Sequence, residues 1–174
     1  MKISAAPVKK SIRVNAPPAR AFEVFATRFD SWWPKDHHIG KAAMKQAVIE
    51  PHSGGRWYEK GEDGSECDWG RVLVWDPPSR LVLSWGINSK FVPDETVDSE
   101  VEVHFIPDGN NGTRVELEHR IMAADAEALR DARAEGPDAW PGCWRSWLSP
   151  SDNLRDQRRW RRYRPSEKSS ASCR

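Results

Sequence analysis

The sequence lacks the cysteine pattern of a disulfide scaffold or a zinc site, and it lacks a long apolar run. Its 174 residues include three scattered cysteines, Cys67, Cys143 and Cys173, without a C-x-x-C spacing, and we expect them to be free thiols. The first ten residues have no apolar core of a signal peptide, and no later run is long enough to span a bilayer. These absences predict a cytoplasmic protein with no membrane partner.

Recognisable catalytic signatures are also missing. The sequence has no G-x-S-x-G and no H-E-x-x-H, and Gly54-Gly55 is not followed by the G-K-[ST] of a phosphate loop. His37 and His38 are adjacent, so one helix face cannot present both to a metal ion. Three acidic residues beside glycines indicate a solvated turn: Asp63, Glu66 and Asp68. We therefore predict no catalytic residue, no metal ligand and no cofactor.

Basic and acidic residues are unevenly distributed, although the net charge is only +1. Residues 143–174 hold nine basic and three acidic residues, a net charge of +6, whereas residues 1–142 hold 18 basic and 23 acidic residues, a net charge of −5. The C-terminal part also contains no Val or Ile. This contrast predicts a folded domain over residues 1–142 and a disordered basic tail over residues 143–174.

Most of the first 142 residues show the patterns of strands. Val8–Val14 is a first candidate, and residues 69–85 contain two short apolar runs around Asp76-Pro77-Pro78-Ser79, which is typical of a hairpin because proline cannot donate to a strand ladder. Residues 100–105 and 114–119 alternate polar and apolar side chains, with a turn sequence between them. Several consecutive antiparallel strands are therefore expected.

Two segments are predicted to be helical. Pro17-Pro18 suits the opening of a helix, and Phe22, Phe25 and Phe29 then follow at spacings that place three rings on one buried face. An Ala-rich stretch ending at Ala134 suits a second, short helix. Strand, helix, several strands and helix in this order predict an α+β domain with helices on one face of a sheet.

Four motifs in this order give the chain a family resemblance. Along the chain they are Trp32-Trp33-Pro34, Gly54-Gly55-Arg56-Trp57, the hairpin of residues 69–85 and Leu117-Glu118-His119. From about Val8 to Trp140 the sequence resembles the family of homologues of the activator of the ninety-kilodalton heat-shock-protein ATPase. This family belongs to the START-like (SRPBCC) superfamily, and the resemblance implies a helix-grip fold. In that fold a curved antiparallel sheet and a long C-terminal helix enclose an apolar cavity.

The resemblance also implies a ligand site inside the domain. In the superfamily the elements that carry the tryptophans border the cavity, the loop of residues 87–97 lies at its mouth, and alternate residues of the last strands point inward. The implied ligand-binding residues are Trp32, Trp33, Trp57, Trp85, Phe91, Val103, Leu117 and His119. For Trp69 and Trp75 we favour plain packing in the core. We interpret His119 as a hydrogen-bonded core histidine, because no relay partner is recognisable from spacing.

These observations favour a module that binds a small apolar molecule or a client protein. A chaperone is a further partner implied by the family name and its association with stress response. One alternative is a cofactor-independent enzyme of the cyclase or aromatase type, since such enzymes share the general fold and act by shaping a flexible substrate. The two classes differ in whether a product forms.

The tail departs from the sequences that the chain resembles. Similar proteins continue after a W-P motif into an apolar helix, whereas Trp140-Pro141-Gly142 is followed here by the basic segment. Reading plausible codons for Cys143-Trp144-Arg145 one base back gives W-P-G-V-L-[E/A], close to the missing pattern. We hypothesise a frameshift near Gly142, which the nucleotide sequence would test.

Nucleic-acid binding is the alternative interpretation of this tail. Residues 158–164 contain five arginines, which neutralise phosphates, together with Trp160 and Tyr163, which can stack on bases. Short basic runs have weak specificity, so we rank this function below the other two.

Overall fold

The computed structural model of the chain describes residues 3–134, and these form one antiparallel sheet with short helical segments. The predictions for the tail lie outside the described residues. The strands are β1 Ile3–Ser4, β2 Val8–Val14, β3 Met44–Ile49, β4 Arg56–Gly61, β5 Glu66–Asp76, β6 Arg80–Ser84, β7 Asp98–Pro107 and β8 Thr113–Ala123.

The strands from β3 to β8 form a meander, and the two N-terminal strands pair with the last strand. Strands β3 to β8 each pair with the next in sequence, and β1 and β2 then pair along the far edge of β8. Val8 lies opposite His119, and Val14 lies opposite Thr113. Register shifts interrupt the pairings of β3 with β4, β4 with β5 and β5 with β6. Such irregularities bend and twist strands, which is consistent with the curled sheet of the helix-grip fold.

Helical structure follows β2 and β8. Helix α1, Pro18–Phe22, continues into a π-helical turn at Glu23–Thr27 and a 3₁₀ turn at Phe29–Ser31. Phe22, Phe25 and Phe29 are buried, which confirms the predicted apolar face. Helix α2, Ala126–Ala134, confirms the predicted Ala-rich helix after β8.

The core lies on one face of the sheet. On β7 and β8 the alternate residues Val101, Val103, Val115 and Leu117 are at most 2% exposed, and they belong to the same apolar cluster as the phenylalanines of the first helical segment. The register sets Val103 directly opposite Leu117. The period-2 pattern therefore predicted the correct inward side chains on both strands.

Two details differ from expectation. Strand β5 begins at Glu66, so Glu66 and Asp68 belong to a strand rather than a turn, and both form salt bridges with Arg56 on β4. Cys67 is buried and disulfide-bonded, so the expectation of a free thiol is wrong for this residue. Spacing could not reveal a disulfide, because disulfide formation depends on how closely distant segments approach in the fold.

Candidate functional site

The sheet brings seven of the eight predicted ligand-binding residues into the interior. The largest exposure among them is 8%, at Trp33, and the seven are Trp32, Trp33, Trp57, Trp85, Val103, Leu117 and His119. Phe91 differs because its side chain is only half-buried, in the loop between β6 and β7. These positions describe a common interior location, and ligand binding by these residues stays a prediction.

Aromatic rings form a continuous cluster over β4, β5 and β6. The ring centroids of Trp57 and Trp85 are 5.0 Å apart, and those of Trp57 and Trp69 are 5.6 Å apart. Phe29 stacks on Trp33 at 4.9 Å and meets Trp57 edge-on at 6.0 Å. The inclined and edge-on pairs are favourable arrangements of aromatic quadrupoles. The cluster therefore presents an aromatic environment with few polar groups.

Within residues 3–134, four of the five buried tryptophans donate their indole N–H to the protein. Trp32 donates to the carbonyl oxygen of Phe25 at 3.2 Å, and Trp33 donates to that of His37 at 2.9 Å. Trp85 donates to the carbonyl oxygen of Ile87 at 3.0 Å. These bonds fix three of the predicted site rings to the backbone around them.

Trp69 donates instead to a buried carboxylate that the sequence analysis missed. Glu59 is 2% exposed, and its Oε2 accepts bonds from Trp69 Nε1 and from the backbone N–H of Ile39, both at 2.8 Å. Its Oε1 accepts the backbone N–H of Gly40 at 2.5 Å. Glu59 therefore links β4, β5 and the segment after Trp33. The sequence offered one signal for the burial of Glu59. Side chains two residues apart on a strand point to the same face, so Glu59 shares the inward face of Trp57.

His119 is fully buried and forms a hydrogen bond with a serine of the neighbouring strand. The distance from His119 Nε2 to Ser99 Oγ is 3.1 Å, and Ser99 Oγ donates its own hydrogen to the carbonyl oxygen of Trp85 at 2.9 Å. With the serine hydrogen directed to Trp85, the histidine Nε2–H is the donor to Ser99. This arrangement does not activate Ser99 as a nucleophile, because the histidine is not positioned to remove the serine proton.

Internal hydrogen bonds order the loop that carries Phe91. Asn88 Oδ1 accepts the backbone N–H of Lys90 at 2.9 Å and that of Val92 at 3.2 Å. Ser89 donates its backbone N–H to Asp125 at 3.1 Å, which ties the loop to the residue before α2. Phe91 has a φ of 59°, a left-handed conformation that is uncommon for a bulky residue. The surrounding bonds hold this strained backbone in place.

The outer face of the sheet carries a network of ionised groups around Glu102. Burial alone would raise the pKa of Glu102 on β7, but hydrogen bonds from Arg120, Arg80 and His104 lower this pKa to about 2. The shortest of these contacts join Glu102 Oε2 to Arg120 and Oε1 to Arg80, both at 2.7 Å. Glu102 alternates with Val101 and Val103, so the charge network and the apolar interior lie on opposite faces.

Within residues 3–134, no group of three or more His, Cys, Asp or Glu side chains is arranged to hold a metal ion. No helix within the same range is long and apolar enough to cross a membrane.

A curled antiparallel sheet with an aromatic inner face and a helix after its last strand defines a START-like helix-grip domain. The sequence model described as activator of Hsp90 ATPase homolog 1-like protein matches residues 15–149. The chain belongs to this family, as the motif order predicted.

Solved structures support the same fold. The chain is 38% identical to an anthrahydroquino-gamma-pyrone synthase, Txn09, with 85% of this chain and 90% of that one covered and a TM-score of 0.50. It is 30% identical to CalC, a self-sacrificing resistance protein from Micromonospora echinospora, with coverage of 85% and 95% and a TM-score of 0.59. A protein from Mesorhizobium loti is 17% identical, with coverage of 87% and 98% and a TM-score of 0.59, and shows the fold alone. Comparison with curated proteins gives no match.

Proposed function

We propose that the protein binds a small, largely apolar molecule against the inner face of its sheet. The observation that carries this proposal is the concentration of buried tryptophans at that face: Trp57, Trp69 and Trp85 lie on or beside the strands, and Trp32 and Trp33 pack over them from the helical segment. His119 and the apolar side chains of β7 and β8 lie on the same face. Ligand sites are typically apolar and aromatic, with a few polar groups that fix orientation. Membership of a START-like family is consistent with this chemistry.

The residues would have different roles in such a site. Trp57 and Trp85 would contact the flat faces or edges of the ligand, and Val103 and Leu117 would form the apolar floor. Phe91, which lies on the ordered loop between β6 and β7, would cover the ligand from one side. His119 would orient Ser99 and Trp85 through the hydrogen bonds described above.

An enzyme of the cyclase or aromatase type is the second candidate, favoured by the 38% identity to a protein described as a synthase. On this alternative the same interior would shape a substrate rather than store a ligand. A chaperone or client-protein partner and a cytoplasmic location rest on the family name and on the sequence, and remain proposals. Formation of a product without added cofactor would distinguish the enzyme from the binding module.

The binding function is tested with an apolar fluorescent probe. We expect one probe molecule to bind per chain and to raise the free energy of unfolding, by about 2.7 kcal/mol at a probe concentration 100 times its Kd. Trp85→Ala should weaken the binding to folded protein more than Trp75→Ala, because Trp75 is only partly buried and packs edge-on against Phe22 at 5.0 Å. Equal losses in the two variants would contradict the proposed site.

A further inference from the structure

Trp57 differs from the other four tryptophans that are buried in the described part of the chain. It is 0% exposed, yet its indole nitrogen Nε1 has no hydrogen-bond partner within the described residues. The corresponding N–H groups of Trp32, Trp33, Trp69 and Trp85 each have an acceptor at 2.8–3.2 Å. A buried donor without an acceptor costs about 1–3 kcal/mol, so this group is expected to have a functional explanation.

The protein groups around Trp57 offer few acceptors for its indole N–H. Its ring lies among the rings of Phe29, Trp69 and Trp85, at centroid distances of 6.0, 5.6 and 5.0 Å. The carboxylate of Glu59, two residues along the same strand, already accepts three N–H groups, one of them from Trp69. The nearest anionic group on β4 is therefore used to satisfy the neighbouring indole.

The backbone holds Trp57 firmly in this position. Its Cα partners in the sheet are Ile49 on β3 and Gly70 on β5, so the residue lies in the middle of three paired strands. A Cβ atom at Gly70 would lie 1.9 Å from the carbonyl oxygen of Ser84, which shows how closely β5 approaches β6 at this level. Trp57 therefore lies on a strand that is paired on both sides, not on a loop.

We propose that Trp57 Nε1–H is the hydrogen-bond donor for a bound ligand, and that the ligand is a flat, ring-containing molecule with an accepting oxygen. The surrounding rings favour an aromatic body, and the single N–H requires a carbonyl, quinone or ether oxygen at its edge. A ligand whose only polar groups are donors, such as an ammonium, would leave the indole unsatisfied. This inference rests on the proposed function and specifies the ligand that the site selects.

The test compares two probes of nearly equal shape, 9-fluorenone and fluorene, which differ in one carbonyl group. Their affinities are measured on the full chain, on Trp57→Phe and on the control Trp75→Phe. We expect Trp57→Phe to lower the ratio of fluorenone to fluorene affinity by about five- to tenfold, because it removes the donor and keeps an aromatic ring. Trp75→Phe should leave this ratio within about twofold.

A second measurement covers the case in which Trp57→Phe does not fold. In the full chain labelled with ¹⁵N-tryptophan, fluorenone should shift the indole Hε1 resonance of Trp57 downfield by more than fluorene does. If both probes bind and neither the affinity ratio nor this resonance distinguishes them, the inference is wrong while the proposed function stands. If neither probe binds, the proposed function and this inference both fail.

Discussion

Trp69 and Glu59 form a buried hydrogen bond, with 2.8 Å between the indole Nε1 and the carboxylate Oε2. Glu59 is 2% exposed and also accepts the backbone N–H groups of Ile39 and Gly40. A Cβ atom at residue 40 would lie 2.6 Å from Glu59 Oε1, so any larger residue there would displace the carboxylate from its present position. One carboxylate therefore fixes an aromatic ring of the interior and the segment that follows Trp33.

Replacing this carboxylate should weaken the fold. Glu59→Gln replaces one of the two accepting oxygens with an NH₂ group, which cannot accept a hydrogen bond. At least one buried N–H group then loses its acceptor. We expect the free energy of unfolding to fall by about 1–3 kcal/mol, measured by urea denaturation. Glu62→Gln is the matched control, since Glu62 is exposed and such surface changes usually stay within about 0.5 kcal/mol. Equal effects of the two substitutions would contradict the role given to Glu59.

The sequence predicted the sheet well because its signals are local. Alternation on β7 and β8, the Asp76–Ser79 turn and the three phenylalanines after Pro18 each depend on neighbouring residues. The family resemblance supplied the helix-grip topology, which local patterns do not contain. The pairing of Glu59 with Trp69 could not be predicted, because it joins β4 and β5, whose register shifts at Trp57. The pairing of Ser99 with His119 depends on the register of β7 against β8, which the pattern within one strand does not determine.

The Glu102 network predicts a loss of stability in acid. The pKa of Glu102 in the fold, about 2, lies below its usual value of 4.5, because Arg120, Arg80 and His104 bond to the ionised form. The ionised group therefore stabilises the fold above about pH 4.5, and this contribution is lost as the pH falls towards 2. Partial exposure of the two arginines reduces the effect, and we expect about 1–2 kcal/mol.

The measurement is the free energy of unfolding at pH 6 and pH 3 for the unmodified chain, Glu102→Gln and Glu116→Gln. Glu102→Gln should reduce the difference between the two pH values. Glu116→Gln is the control because Glu116, on the neighbouring strand, has a side chain that is 46% exposed. An unchanged pH difference in Glu102→Gln would show that other carboxylates control the acid response.

His119 is predicted to position Ser99 and Trp85, not to transfer a proton to or from a ligand. His119→Gln should lower the free energy of unfolding by about 1–3 kcal/mol, because it disturbs a buried bond at 3.1 Å. If the protein proves to catalyse a reaction, turnover per folded molecule should stay within about tenfold, whereas loss of a general acid or base typically costs about a hundredfold or more. Ser99→Ala should show the same pattern. A much larger loss in folded His119→Gln alone would assign His119 a proton-transfer role.

The C-terminal tail is predicted to add little to stability. The family match ends at residue 149, and the sequence from 151 to 174 is polar and basic. In a reducing buffer, in which no disulfide of Cys67 contributes, deleting residues 151–174 should change the unfolding midpoint by less than about 2 °C. Changes away from packed contacts usually stay within about 0.5 kcal/mol. If a frameshift near Gly142 has replaced an apolar helix, restoring such a helix after Trp140 should raise the midpoint by several degrees, because each fully buried apolar side chain contributes roughly 1.5–3 kcal/mol.

The measurement is thermal unfolding of the full chain, the chain without residues 151–174 and the chain with a restored helix, all in one reducing buffer. A fourth chain, in which the five arginines of residues 158–164 are changed to Ser, is the control for charge. Collapse of the fold on deletion of the tail would mean that the tail stabilises the domain, and the frameshift would then lack its expected structural consequence. Unchanged stability on deletion, with a higher midpoint for the restored helix, would support the frameshift. If the tail is disordered as the sequence predicts, the charge control should unfold with the same midpoint as the full chain, because a disordered segment contributes no buried contacts.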